Sequence, residues 1–242
     1  MANKAGRQKV AASSTVTAIV CAFMEREDMP AQIIKTDTVH SGWATLLVAA
    51  IRLPSGETIR REIEDHGAAA CVLPYHPTRK TAILVRQLRP AVFFATRQDE
   101  TIEAIAGIVD EADPAETARR EAEEEAGLAL GDLEHVVSGW TMPGLSTEQM
   151  HFYFATYDEG PRGAGGGKAS EHEHITVVEI GLNELAAMAD RGDLADVKTL
   201  LLVQTLRLRR PELFTDSKAR SRYAPADLAG QCRWAQRPTP KR

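Results

Sequence analysis

The stretch that decides the fold is Ala106-Gly107-Ile108-Val109-Asp110-Glu111-Ala112-Asp113-Pro114-Ala115-Glu116-Thr117-Ala118-Arg119-Arg120-Glu121-Ala122-Glu123-Glu124-Glu125-Ala126-Gly127-Leu128. It reads as a loop followed by a helix. Asp113 suits an N-cap, Pro114 the first helical position, and Glu116 stands at capping-box spacing from the cap. Gly127 offers a left-handed stop, and Leu128 the apolar contact beyond it. The helix so bounded has about 13 residues and a length of roughly 20 Å. At ~100° per residue, Ala115, Ala118, Ala122 and Ala126 fall in one narrow stripe. Side chains that small let a helix sit close against a sheet. Glu121, Glu124 and Glu125 share the adjoining arc, because positions i, i+3 and i+4 lie on one face. Glu116 and Glu123 point elsewhere, to water. Converging carboxylates repel one another, on the order of a few tenths of a kcal/mol per pair. A divalent cation removes that penalty, and Mg²⁺ suits carboxylate oxygens, waters and phosphates. Helix geometry alone leaves a solvated acidic helix equally open.

Arg120-Glu121-Ala122-Glu123-Glu124-Glu125-Ala126-Gly127-Leu128 resembles the core of the Nudix box, the signature of the Nudix hydrolases, and Gly107 matches its opening glycine. The loop departs from that pattern. Position 113 is Asp where the consensus has Glu, and Glu121 follows Gly107 one residue early. The shortened AGxxDxxxP form is similar to the ADP-ribose and GDP-mannose pyrophosphatase branch, closer to its GDP-mannose members. The likeness extends over residues 15–214, with the box its most specific part. It implies an α+β fold: a Nudix α/β/α sandwich with a mixed sheet, plus an N-terminal antiparallel β subdomain.

The whole chain sets outer limits. Its 242 residues carry a formal net charge of −5 and 43% hydrophobic residues. That is enough for one sizeable domain with an elaboration, and it gives no basis for bulk electrostatic binding to nucleic acid. No run of 18 apolar residues marks a membrane helix. Lys4, Arg7 and Lys9 before Val10–Met24 faintly mimic a signal peptide, but Ser13, Ser14, Thr15 and Thr17 interrupt the apolar run. Three widely spaced cysteines, Cys21, Cys71 and Cys232, form no CxxC and suit a reducing cytoplasm.

The expected organisation is a disordered lead-in over 1–14, a β subdomain over 15–66, the Nudix domain over 67–214 and a basic tail over 215–242. In the first, Val16–Phe23, Trp43–Leu53 and Thr58–Glu64 read as strands, with a turn at Pro54–Glu57. By resemblance this subdomain serves dimerisation; an edge sheet packed on its own domain is the alternative. Ala68–Pro74 and Thr81–Gln87 read as strands about a turn at His76–Arg79. Phe93, Phe94 and Arg97 read as a loop able to stack a base or plug a core. Thr101–Gly107 reads as one short strand, His135–Trp140 and Gln149–Tyr157 as two more. Leu182–Asp190 and Asp196–Leu208 read as helices, the second with core-like spacing. His151 between Phe152 and its strand neighbours reads as a partnered structural histidine. The glycines of 160–170 lack the following helix and lysine-serine pair of a P-loop.

The resemblance also places a site. Glu121, Glu124 and Glu125 with the carbonyl of Ala106 are implied as metal ligands, for Mg²⁺ or alternatively Mn²⁺. Arg86, Arg89, Glu103 and Glu148 are implied substrate contacts. Arg suits a diphosphate because its planar fork bonds two oxygens at once. Met142-Pro143-Gly144 resembles the branch's SPG loop with Met142 in place of serine. Glu171-His172-Glu173-His174-Ile175 aligns with an acidic EDEDI loop, so Glu173 first and Glu171 second are expected to be the catalytic base, with Glu124 a further catalytic candidate. Two histidines at i, i+2 could bind zinc, but no second pair matches them. Lys198 resembles the lysine of the branch's GKT. The implied activity is Mg²⁺-dependent hydrolysis of a nucleoside diphosphate sugar to a nucleoside monophosphate and a sugar phosphate, in a cytoplasmic homodimer. A non-catalytic Nudix module sensing ADP-ribose is the alternative, which the intact glutamates disfavour.

Overall fold

A computed structural model describes residues 30–110, 113–158, 166 and 174–214. The expected strand Val16–Phe23 and the tail over 215–242 lie outside them. The chain divides into two compact units, the first ending at His66 and including Gly144–Thr147, the second beginning at Gly67.

In the first unit, β1 (Gln32–Ser41), β2 (Thr45–Arg52) and β3 (Thr58–Asp65) form an antiparallel sheet in that order. The turn between β2 and β3 closes through Leu53 N–H to the Glu57 carbonyl at 2.8 Å, and Gly56 adopts φ +87°, a conformation open to glycine. β1, which periodicity did not reveal, alternates poorly and is exposed along most of its length. Gly144–Thr147 is stitched to the end of β3. Ser146 Oγ donates to Glu64 at 2.6 Å and Thr147 Oγ1 to Asp65 at 2.6 Å. His66 stacks on Trp43 with ring centroids 4.7 Å apart.

The second unit is a mixed seven-stranded sheet between helices. Its strands are β4 (Ala69–His76), β5 (Thr81–Gln87), β6 (Thr101–Glu103), β7 (Ile105–Ile108), β8 (Leu133–Trp140), β9 (Gln149–Thr156) and β10 (Thr176–Gly181). The main order is β10-β5-β4-β9-β8; β4 and β9 run parallel and the other pairs antiparallel. β4 and β5 pair only beside their turn, at Tyr75–Ala82 and His76–Thr81. Further along they part, and one stretch of chain lies between them, first on β5 as β6, then on β4 as β7. The single strand expected over 101–107 is therefore two, changing partner at Ala104.

Among the described residues, four α-helices complete the unit: α1 (Pro90–Thr96), α2 (Pro114–Ala126), α3 (Leu182–Arg191) and α4 (Val197–Arg209). α1 replaces the loop expected around Phe93 and Phe94; Pro90 at its first position pre-sets φ, and Arg97 ends it in the left-handed region. α2 covers one sheet face, burying Ala118, Ala122 and Ala126 against Ala70, Val72, Ile83, Val85, Ile105 and Tyr153. α3 and α4 cover the other, where Leu182, Leu185, Leu202, Val203 and Leu206 pack on Cys71, Leu73, Leu84 and Phe154. Each large side chain fully buried this way contributes about 1.5–3 kcal/mol. The two-sided burial explains why β4 reads as a continuous apolar run rather than an alternation.

Candidate functional site

α2 starts and stops where its sequence directs. The Asp113 side chain accepts from Ala115 N–H at 3.1 Å, and Glu116 stands 3.8 Å from Arg119. At the other end Gly127 takes φ 62°, and Leu128 N–H donates to the Ala122 carbonyl at 3.0 Å, satisfying the last turn. The ends fix the extent of the helix, and the buried Ala118, Ala122 and Ala126 fix its rotation on the sheet and with it the aim of its glutamates.

Glu125 is 5% exposed, close beside the buried alanine stripe. Glu121 and Glu124 lie nearer the rim, with side chains 13% and 30% exposed. Glu121 runs against β7 at Gly107: a Cβ there would lie 2.1 Å from Glu121 Oε1 and 2.2 Å from its carboxyl carbon. Only glycine leaves that space. Ala106, the implied carbonyl ligand, is the preceding residue of β7, paired with Cys71 of β4.

Arg120 lies among these carboxylates. Its Nη1 is 2.8 Å from Glu121 Oε1 and 3.0 Å from Glu124 Oε2, and its Nη2 is 4.0 Å from Asp110. Burial pulls its pKa down, but the charges of Glu121, Glu124 and Asp110 outweigh that and raise it. Among the described residues no three acidic, histidine or cysteine side chains converge into a ready metal cage. The donor set nevertheless fits a hard cation: carboxylate oxygens on one helix face beside a backbone strand, with a glycine cradle holding one of them.

The substrate contacts implied by resemblance fall in two places. Glu103, 3% exposed, ends β6 and is held by three side chains. Arg89 grips it with two bonds, Nε at 2.8 Å and Nη2 at 2.7 Å. Thr101 Oγ1 donates at 2.7 Å, and Lys198 Nζ stands 3.6 Å from Oε2. Burial pushes the Glu103 carboxyl up, yet the Arg89 bonds and the charges of Arg89 and Lys198 prevail and hold it below the usual carboxylate value. Arg89 is raised, chiefly by its bonds to Glu103. Lys198 loses by burial but gains more from Asp196 and Glu103, and is raised. Arg86, by contrast, is half exposed and paired with Glu100 at 3.0 Å. Glu148, at the start of β9, accepts from Thr141 Oγ1 at 2.5 Å.

Sequence reasoning did not foresee how α4 joins this network. Asp196 caps α4, accepting from Thr199 N–H at 3.1 Å, from Thr199 Oγ1 at 2.6 Å and from Lys198 Nζ at 2.6 Å. Thr199 Oγ1 in turn accepts from the Ala104 N–H at 2.6 Å, the amide at the partner change between β6 and β7. The helix cap is thus wired to the strand that carries Glu103 on one side and Ala106 and Gly107 on the other. An Asp-x-Lys-Thr run at a helix start was the available signal.

Glu171 and Glu173 lie outside the described residues. Gly166 is described, and its N–H donates to the Glu125 carbonyl at 2.8 Å. His151 has the partner expected of it: Nδ1 is 2.8 Å from Ser138 Oγ, which also lies 2.9 Å from His135 Nε2. Burial and His135 depress His151, against a weaker opposing pull from Asp113.

A glutamate-bearing helix laid on a mixed sheet through alanines and one strand glycine defines the Nudix class of domain. The NUDIX domain family matches residues 65–201, and the chain belongs to that family. Among its relatives is a GDP-mannose pyrophosphatase of Pectobacterium atrosepticum, 35% identical over 185 residues, which are 74% of this chain and 95% of the relative. The GDP-mannose pyrophosphatase of Cronobacter sakazakii is 39% identical over 157 residues, 64% of this chain and 82% of the relative. A solved structure described as an ADP compounds hydrolase shares the fold, with a TM-score of 0.63 at 18% identity, over 76% of this chain and 96% of that one. No helix among the described residues is long and apolar enough to cross a membrane.

Proposed function

We propose that this chain is a pyrophosphohydrolase that cleaves the diphosphate bond of a nucleoside diphosphate sugar, of the GDP-mannose or ADP-ribose type, releasing a nucleoside monophosphate and a sugar phosphate. The observation that carries the reading is the arc of Glu121, Glu124 and Glu125 on α2, seated against β7 through Gly107. Relatives named GDP-mannose pyrophosphatase, matched over 82–95% of their length, support the substrate class.

Glu121, Glu124, Glu125 and the Ala106 carbonyl would hold Mg²⁺, which when bound neutralises diphosphate charge and acidifies the attacking water. The chain's own groups do the positioning. Arg89 uses Nε and Nη2 on Glu103. A guanidinium has five N–H donors, so capacity remains for a phosphate oxygen. Glu103 therefore acts as the rest that fixes Arg89 and Lys198, and its carboxylate stays ionised while it does so. Arg86 supplies a second, looser cation. Glu173 or Glu171 takes the proton from the attacking water. Hydrolysis at phosphorus needs such positioning and fixed charge more than covalent assistance.

Two copies of the chain would associate through the strands of the first unit. Ile33, Val39 and Trp43 there are exposed, Trp43 by 76%. Large apolar groups so displayed favour a partner surface. Light scattering that returns one monomer mass at micromolar concentration would count against this. The cytoplasm is the proposed compartment.

The functional test compares kcat/KM for GDP-mannose, ADP-ribose, ADP-glucose, diadenosine polyphosphates and nucleoside triphosphates at fixed Mg²⁺. A sugar nucleotide should lead. Triphosphates or dinucleoside polyphosphates ahead by tenfold, about 1.4 kcal/mol of transition-state binding, would overturn the substrate class.

A further inference from the structure

We propose that Thr199 is a positioning residue: acting through the Ala104 amide, it holds the two halves of the site in register. This inference rests on the function proposed above.

The two halves stand on different strands. Glu103, with Arg89 bonded to it, belongs to β6, which pairs with β5 at Val85. Ala106 and Gly107, with Glu121 against the glycine, belong to β7, which pairs with β4 at Cys71 and Ala70. At this level β4 and β5 are not paired with each other; they meet at Tyr75–Ala82 and His76–Thr81. The chain passes from one half to the other at Ala104, which lies in neither ladder.

Thr199 takes hold of that residue from α4. Its Oγ1 accepts from the Ala104 N–H at 2.6 Å. Its own proton goes to Asp196 Oδ2, also at 2.6 Å, which leaves lone pairs for the amide. Asp196 is tied in turn by Thr199 N–H at 3.1 Å and by Lys198 Nζ at 2.6 Å, so turning the hydroxyl away undoes part of the α4 cap. Thr199 and Ala104 are both buried. A hydrolase of this kind must bring its arginine and its glutamates to one diphosphate. A slip between two intact halves therefore falls on the reaction more than on either binding event. A displacement of about 1 Å in such a constellation costs roughly 100-fold in rate, and a fraction of that shift about tenfold.

The rival role is a stabilising contact and nothing more. That role moves the melting temperature and leaves turnover alone. The register role moves kcat and leaves both binding constants alone.

The experiment uses the full chain, with GDP-mannose and ADP-ribose as substrates at fixed Mg²⁺ and a temperature well below melting. Mn²⁺ affinity is measured separately by electron paramagnetic resonance of the free ion. Thr199→Val keeps the volume and loses the hydroxyl; Thr199→Ala loses both; Thr199→Ser loses only a methyl. Val and Ala should each lower kcat about tenfold, with KM within about threefold and the Mn²⁺ Kd within about twofold of wild type. Ser should stay within about twofold in all three. If the Val variant does not fold, the Ala–Ser pair decides, because both have given up the same methyl and differ in the hydroxyl. A kcat for Ala within twofold of that for Ser overturns the inference and leaves the proposed function standing. So does a Mn²⁺ Kd raised tenfold in Ala and not in Ser, which would place Thr199 in the glutamate half alone. A wild type that hydrolyses neither sugar nucleotide overturns the function, and the inference with it.

Discussion

Substituting alanine at Gly107 isolates the seat of one glutamate from the rest of the fold. Gly107 sits in β7 opposite Ala70, and its replacement needs no unusual backbone conformation there. The obstacle is the new Cβ, which would lie 2.1 Å from Glu121 Oε1, 2.2 Å from Cδ and 2.6 Å from Cγ. Ordinary contact between such atoms is about 3.5 Å, so the carboxylate must move outward by more than 1 Å. Its atoms are the far end of a flexible side chain, so α2 stays on its alanine stripe and the sheet is unaffected. A displacement of about 1 Å in a reacting constellation costs roughly 100-fold in rate. We therefore expect Gly107→Ala to lower kcat for the best sugar nucleotide about 100-fold, and to change the melting temperature by only a few degrees, within ~1 kcal/mol of stability. The assay is steady-state turnover beside circular dichroism of the same preparation. Turnover within threefold of wild type would refute the cradle, and a variant that does not fold would place Gly107 in the core rather than in the site.

Three further outcomes are expected. Glu125→Gln should reduce turnover about 100- to 1000-fold with the fold retained, since an oxygen ligand's charge is worth several kcal/mol in the transition state; a folded variant with near-normal kcat rejects the assignment. Glu103→Gln removes the charge that holds Arg89 and Lys198, and should cost about 1–3 kcal/mol in urea unfolding at neutral pH. Because the folded pKa of Glu103 is depressed, its contribution is complete above the unfolded value of about 4.3 and is lost as pH falls through the folded value below it. The difference between wild type and variant should therefore shrink only in that acid range, and a difference that shrinks at neutral pH contradicts the sign. Thr199→Val strips the Ala104 N–H of its acceptor and Asp196 of a donor, and should cost about 1–3 kcal/mol; Thr199→Ser should recover most of it, and equal losses in both would point to packing instead.

Much of the second unit was legible because its signals are local. Asp113, Pro114 and Gly127 bound a helix within one continuous stretch, and the alanine spacing names its buried side. The same geometry could not show that Thr117 and Glu125 are as buried as the alanines, because that depends on how β4 and β7 pack against the helix and on Gly166 reaching the Glu125 carbonyl. Strand pairing was less legible. Thr101–Gly107 carries one pattern of side chains, and nothing in it announces that β6 and β7 serve different neighbours. β1 and β10 were missed for a related reason: exposed or mixed faces blur the period of two. The Glu103 network joins residues nearly a hundred positions apart, Ala104 to Thr199 among them, and no spacing rule reaches across that distance. Arg89 could be singled out as a cation near a strand end, but its two bonds to Glu103 became visible only with β5 and β6 side by side.

The parallel pair β4–β9 carries a consequence for how the chain folds. Ala69 pairs with Met150 and Tyr75 with Thr156, contacts between segments about 80 residues apart that must await a large loop closure. The β4–β5 turn, the β5–β6 pairing and the packing of α2 on β7 join segments much nearer in sequence. Pairings of long sequence separation are slow to form. Residues 69–128 thus make up a self-consistent early assembly, in which Gly107 already meets Glu121 while the apolar edge of β4 that β9 will cover still faces water. During synthesis that edge is the aggregation-prone surface of the molecule, and it is sealed only once residue 156 has emerged.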